Sequence, residues 1–292
     1  MPGLEYFIDG HQRLFWLYLA ASALMGGLFA LRYPRIGKIL WSKALWWHPS
    51  ARLDYLYFFV SAVIKSVVII PILIGAGDVA LWTLRTLQHG FGFRVPLGWE
   101  REAVVVLYTV TLFTVSDLSR YLLHRWMHTV PFLWRFHRVH HSAQTLTPVT
   151  FYRIHPVENL LFGLRYSLSV GVVTGVFVYF FGARLGMVEV LGVNILLFAF
   201  GLLGANLRHS PVPLRFGRAE RWIVSPYMHQ LHHSEEGARR NYGGVLAVWD
   251  RLFGTLWLPK TRRLRFGFKS NPHTSIWAVL FEPFNFKNAK AE

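Results

Sequence analysis

The 292-residue chain is 53% hydrophobic and 16% aromatic, and only 16% of it is charged, against about 25% in an ordinary globular protein; this excludes a disordered chain and argues against a soluble one. Its 31 Lys and Arg against 15 Asp and Glu give a net charge of +16, which in so apolar a chain fits basic loops beside an anionic leaflet rather than a nucleic-acid partner. There is no cysteine, so disulfides, thiolate metal sites and a Cys nucleophile are excluded, and any metal must be held by His or carboxylate.

Apolar runs near about 20 residues predict transmembrane helices over residues 14–31, 55–74, 103–123, 160–181 and 185–205. The first lacks an early basic region and ends in Arg32, Arg35 and Lys38, a stop-transfer flank, so it is expected to remain in the membrane. Lys65 and Arg165 lie inside the second and fourth runs, each costly at mid-bilayer unless it snorkels or pairs inside the bundle; snorkelling or a helix end is the preferred reading. Residues 33–54 hold Arg35, Lys38, Lys43 and Arg52 against Asp54 alone. Residues 76–102, read as a loop, balance Arg85, Arg94 and Arg101 with Asp78, Glu100 and Glu102. The first loop is therefore the cytosolic one. That orientation puts residues 124–158, and everything from Asn206 onward, on the cytosolic face. Beyond residue 205 the chain reads as a cap, in which Trp249, Phe253, Trp257 and Trp277 suit a membrane interface or the cap's own core. With no repeat or linker, residues 1–292 are one domain. The fold class is all-α integral membrane: a bundle of four to five transmembrane helices with a cytosolic, histidine-rich cap holding a di-metal site.

Most of the 14 histidines fall into three clusters: His124 and His128; His137, His140 and His141; and His229, His232 and His233. On a helix, positions i, i+3 and i+4 share a face, so each cluster directs two or three imidazoles the same way. Eight imidazoles exceed what one metal needs, since structural zinc takes four ligands and catalytic zinc usually three; the arithmetic asks for two metals. His209, just past the last apolar run, is a candidate ninth ligand, and His155 a candidate ligand or supporting residue. Asp117 and Tyr121 precede His124 on its helical face, and a carboxylate there suits the second N–H of a ligating His; Glu158 is a weaker candidate for the same role, since it also suits pairing with Arg153. His11, His48, His89 and His273 lack spacing partners and read as structural.

A metal pair at the membrane face meets lipid chains first. Their unactivated C–H bonds require an oxidant derived from O2 and a redox metal, which excludes zinc and makes iron the inference. A zinc-dependent membrane hydrolase is the competing reading, weakened by the excess of ligands and by the lack of a carboxylate base such as the Glu of HExxH.

The order Asp117, Tyr121, His124, Arg125, His128, then His137, His140, His141, then Arg153, His155, Pro156, Glu158, then Asn206, His209, Ser210, then His229, His232, His233, and finally Asn241, Tyr242, Gly243 with Trp249, Asp250, Phe253, Gly254 and Thr255, resembles the fatty acid hydroxylase superfamily, also called the sterol desaturase family. The likeness covers about residues 117–255. It implies a multi-pass, non-haem di-iron enzyme that uses O2 and two external electrons to hydroxylate or desaturate a lipid. The eight box histidines would be iron ligands and His209 a further one. Electrons would come from a separate donor protein or a reduced pterin, and a pterin-dependent alkylglycerol ether monooxygenase is an alternative within the family. A bacterial inner membrane is favoured over endoplasmic reticulum by the high Arg-to-Lys ratio.

Overall fold

The computed structural model describes residues 4–259 and 264–285, which are mostly helical. After a short N-terminal segment, α1 (Trp16–Arg32) is an apolar helix of 17 residues. At about 25 Å it is shorter than a hydrocarbon core of about 30 Å. α2 (Pro49–Ile64) starts with Pro49 in its first turn, where the His48 ring accepts the Ser50 N–H. It continues through a π-helical turn, Lys65–Ile69, to Ile72. After a break at residues 73–75, α3 (Ala76–Phe91) extends the same apolar path. α4 (Arg101–Thr129) runs back, Val130 and Pro131 turn the chain into α5 (Pro131–His141), and α6 (Pro156–Phe181) runs out again. Three stretches are long and apolar enough to cross a membrane: Pro49–Phe91, Arg101–Thr129 and Pro156–Phe181.

Residues 76–102 are therefore not simply a loop. Asp78 and Arg85 interrupt the hydropathy pattern, yet Asp78 Oδ2 accepts the Gly75 N–H at 3.2 Å and so starts α3. α3 packs closely on α6 because Gly171 and Gly175 leave room: a Cβ at Gly171 would come within 2.4 Å of Val79, and one at Gly175 within 2.6 Å of Thr83. α4 meets α6 through Tyr108–Thr174 (2.8 Å) and Ser119–Ser169 (2.8 Å) over a core of Val104, Val173, Phe177 and Phe181. Arg165 neither snorkels nor ends a helix; it donates to Ser116 O (2.8 Å) and Ser119 Oγ (3.1 Å) inside the bundle. At the far ends of α4 and α6, the Leu97 N–H bonds Phe180 O and Tyr179 Oη bonds Gly92 O.

The predicted fifth span does not form. Within residues 185–205, β1 (Glu189–Val190) and β2 (Val193–Asn194) make an antiparallel hairpin. Its turn residues Leu191 and Gly192 have φ of 51° and 77°, the positive values a two-residue hairpin needs. α7 (Ile195–Leu202) then has eight residues, about 12 Å, and cannot span. Asn194 explains the start of that helix: its Oδ1 accepts the Leu196 N–H while its Nδ2 donates to Thr109 O. Hydropathy hid the two residues, Gly192 and Asn194, whose turn and capping chemistry divides the run. The described residues thus hold three helices of spanning length and the shorter α1.

At the near ends, Arg153 locks the cap onto α2. Its guanidinium bonds Asp54 Oδ1 (2.5 Å), Ser142 Oγ (3.1 Å) and Ser50 O (3.0 Å), while Thr150 Oγ1 bonds Asp54 Oδ2 (2.7 Å). Both ionic partners are 1% exposed, so each offsets the desolvation of the other. α8 (Pro226–His233) is capped by Ser225, whose Oγ accepts the Met228 N–H and donates to Glu220.

Candidate metal centre

The last two turns of α4, α5, the turn Ala205–His209 and α8 bring nine histidines together. They sort into two groups, His124, His128, His137, His141 and His232, and His140, His209, His229 and His233; within each, one nitrogen from every ring lies within 4.8 Å of the others. The sorting cuts across the sequence clusters. In α5 the i and i+4 residues His137 and His141 join the first group and His140 crosses to the second. In α8 the pair His229 and His233 joins the second group, and His232 crosses to the first. About 100° separates i+3 from i+4 around a helix, so adjacent histidines serve different groups. The rings of His141 and His233 stack between the two at 4.5 Å.

Hydrogen bonds fix which nitrogen faces inward. His124 Nδ1 is 2.8 Å from Tyr242 O and His232 Nδ1 is 2.7 Å from Arg240 O. A carbonyl only accepts, so each Nδ1 carries the proton and each Nε2 turns a lone pair to the group. His137 Nδ1 lies 2.8 Å from Glu158 Oε1, both side chains 3% exposed, with the same consequence. Burial pushes His137 and His232 down to about 3, and holds His140, His141, His209, His229 and His233 well below the usual histidine value; the neighbouring imidazoles add to this for all five. These rings are neutral and able to ligate.

The residues fit metal. Among the described residues, His128 Nε2, His232 Nε2 and both nitrogens of His141 are buried without a hydrogen-bond partner, a costly arrangement unless a cation completes it. In the second group the Nε2 atoms of His209, His229 and His233 form a triangle with edges of 3.1–3.2 Å. Three nitrogens this close, in rings held uncharged, are the donors one cation would take at metal–nitrogen bonds of about 2.0–2.1 Å. Imidazole suits iron, copper, nickel or zinc.

The loop after α8 presents the two carbonyls. Asp250, fully buried, accepts the N–H groups of Tyr242 (2.7 Å) and Gly243 (2.8 Å) and the hydroxyl of Thr255 (2.6 Å). Asn241 adopts φ 55° and bonds Trp257 through both side-chain atoms. Tyr121 Oη bonds Thr255 Oγ1 at 2.9 Å and its ring stacks on Phe253. Asp117 accepts from Val245 N, Leu246 N and Trp249 Nε1 at 2.9–3.0 Å. Asp117 and Tyr121 thus touch no box histidine through a hydrogen bond; they hold the loop that does. Glu158, the weaker candidate from sequence, is the carboxylate that reaches a ring directly, and it is free to do so because Arg153 pairs with Asp54. His155 joins neither group: its Nδ1 accepts the Val157 N–H at the start of α6 and its Nε2 donates to Leu280 O. Sequence reasoning missed the carbonyls of Arg240 and Tyr242. Their signal is Asn241-Tyr242-Gly243 followed by Trp249-Asp250, residues that shape a loop around its main chain.

An apolar helical bundle ending in two histidine groups able to hold metal is the class that fold and site define. The chain belongs to the fatty acid hydroxylase family, which residues 109–255, half of the chain, match. It is 28% identical to ornithine lipid hydroxylase OlsE of Rhizobium tropici over 66% of this chain and 55% of that protein. It is 31% identical to the alkylglycerol monooxygenase of Danio rerio over 56% of this chain and 34% of that protein. It is 29% identical to the Delta(7)-sterol 5(6)-desaturase of Eremothecium gossypii, over 54% and 39% respectively. The chain thus spans between about a third and just over half of these relatives' lengths. No solved structure matches it.

Proposed function

We propose that the chain is an O2-dependent, non-haem di-iron membrane oxygenase that hydroxylates, or desaturates, an unactivated C–H of a lipid such as a fatty acyl chain or a sterol. The observation that carries this reading is the pair of adjacent, uncharged histidine groups in a chain of this family. In it, His124, His128, His137, His141 and His232 hold one iron and His140, His209, His229 and His233 the other. Two irons would supply the redox capacity that zinc lacks; with O2, two electrons and two protons, hydroxylation places one oxygen atom in the substrate and releases the other as water, and desaturation releases both as water. A separate donor protein or a reduced pterin provides the electrons.

The chain's own residues supply the rest. The carbonyls of Arg240 and Tyr242 and the Glu158 carboxylate hold the Nδ1 protons of His232, His124 and His137, so the opposite nitrogens stay aimed inward. His124, His137, His140, His209 and His229 face a cavity of about 210 Å³ that reaches Ser61, Lys65 and Phe162 on the apolar helices, giving a lipid a route from the bilayer.

The histidine cap faces the cytosol of a bacterial inner membrane in this reading. Since the chain lacks cysteine, Arg239→Cys in the cap and Phe93→Cys at the far end are clean reporters: the first should react with an impermeant maleimide only after cells are opened, the second in intact spheroplasts. An alkylglycerol ether monooxygenase is the second reading, favoured by the 31% identity to one; turnover with tetrahydropterin but not with ferredoxin or cytochrome donors would select it. The decisive test is lipid mass spectrometry of cells with and without the chain, joined to metal analysis. Two irons per chain and a lipid that gains one oxygen or loses two hydrogens is the expected result. Turnover without O2, with zinc alone, would overturn it.

A further inference from the structure

The cavity beside the histidines has an unbalanced charge. Arg13, Lys65, Arg120 and Arg208 line it against a single carboxylate, Glu158, whose Oε1 is taken by His137 and whose Oε2 has no hydrogen-bond partner among the described residues. None of these four cations makes a salt bridge among the described residues, and neither Arg13 nor Arg120 has a hydrogen-bond partner for its guanidinium there. Arg208 is 3% exposed; one arm donates to Gly244 O at 2.6 Å and its Nε is left without a partner. Asp117, the nearest carboxylate to Arg120 in sequence, attracts it electrostatically but gives the hydrogen bonds of both oxygens to the loop at residues 245–249.

Aromatic rings hold these cations instead. Arg13 sits 5.2 Å from the ring centre of Phe151, Arg120 5.5 Å from Phe162, Arg208 4.6 Å from Phe200 and Lys65 5.5 Å from Tyr6. A ring face steadies a cation without neutralising it, and leaves the N–H groups at the guanidinium edge free. Burial, with Arg120 as the next cause, lowers Arg13 to about 10. Metal ions in the histidine groups would add further positive charge, so the unliganded cavity is electrostatically unfavourable with or without them.

We propose that Arg13, Arg120 and Arg208 form an oxyanion subsite that takes the carboxylate or phosphate headgroup of a single-chain lipid, setting the carbons next to that headgroup against the histidines. The planar guanidinium matches both oxyanions through paired N–H donors, which neutral lipids such as alcohols and sterols cannot use. The subsite assigns a substrate class to the oxygenase reading, and rests on that reading for the chemistry after binding.

The test measures equilibrium binding of hexadecanoate, hexadecyl phosphate and hexadecanol to the metal-loaded full chain in discs of zwitterionic lipid. The anionic pair should bind at least about tenfold more tightly than hexadecanol. Arg13→Gln and Arg120→Gln should each remove most of that difference and leave hexadecanol binding unchanged, while Arg218→Gln, at an exposed position, should leave it intact. Equal binding of all three ligands to the unaltered chain, which needs no variant to fold, would overturn the proposal. So would an anion preference that survives Arg13→Gln with Arg120→Gln, or one that Arg218→Gln abolishes equally. Inorganic phosphate that competes as well as hexadecyl phosphate would assign the subsite to a free oxyanion and overturn the lipid assignment. Metal content and product are read on the same samples: anion preference without oxygenated product removes the oxygenase reading alone, and product from neutral lipid without anion preference removes the subsite alone.

Discussion

The two histidine groups are held in different ways. In the first, three of five rings are fixed individually, His124 and His232 by main-chain carbonyls and His137 by Glu158. In the second, the position of the rings comes from the elements that carry them: Asn206 Nδ2 ties the turn Ala205–His209 to Arg13 O, and Gln230 Nε2 ties α8 to Leu207 O and Val212 O. His229 Nδ1 has no hydrogen-bond partner among the described residues. The second group also contributes three of its four rings, His140, His209 and His229, to the cavity wall. A ring fixed at its outer nitrogen is a better-oriented and more basic ligand than one fixed only through its backbone. The first group thus has more of its rings fixed at the outer nitrogen, and the second has the larger share of its rings, three of four against two of five, in the cavity wall.

The largest test of this contrast removes one ring from each side. His232→Ala and His140→Ala should each lower O2-dependent product by at least about 100-fold, yet empty different groups, so each variant should retain about one metal per chain. Full activity in either variant removes that residue from the ligand set. Stepwise chelation of the unaltered chain, with metal analysis at each step, should release the metal of the four-histidine group first. Simultaneous loss would show that the outer hydrogen bonds do not distinguish the groups.

Next in size is the shell around the first group. Glu158→Ala strips His137 of its Nδ1 partner and should weaken metal retention there by about 10–100-fold, while Glu158→Gln, which keeps an acceptor oxygen, should lose less. Asp250→Ala unties Tyr242, Gly243 and Thr255 together, leaving buried N–H groups unpaired, and should cost about 2–4 kcal/mol of stability as well as about tenfold in metal affinity. An affinity loss confined to the first group would show that the loop works through the Arg240 and Tyr242 carbonyls. Equal loss from both would mean that the loop merely supports the fold.

The nine histidines were legible because HxxxH and HxxHH spacings put side chains on helix faces whatever the tertiary structure. Their division was not legible, since it depends on how α5 and α8 rotate against each other. The fifth span failed for a local reason, Gly192 and Asn194 inside a hydrophobic run, and α3 was missed for the converse one, a capping Asp78 that reads as loop charge. Of the two carboxylates, Glu158 hydrogen-bonds a box histidine and Asp117 does not. Proximity to His124 in sequence favoured Asp117, but whether a carboxylate reaches a ring depends on what else competes for it: Arg153 is taken by Asp54, and Asp117 by three N–H groups. The cation cluster was invisible as such, because Arg13, Arg120 and Arg208 lie on three separate elements.

The smallest effect is expected at His155, and it separates a histidine that caps a helix from one that ligates. His155 sends Nδ1 to the Val157 N–H at the start of α6, so His155→Ala should cost about 1 kcal/mol of stability, the ordinary value of a helix cap. His155→Asn keeps a side-chain acceptor at that position and should recover much of the loss, although Asn cannot also reach Leu280 O as the ring does. Both variants should bind the same metal as the unaltered chain, because the ring belongs to neither group. Thermal melting paired with metal analysis checks this directly. A metal deficit in His155→Asn with normal melting would place His155 among the ligands and redraw the boundary between the groups and their support.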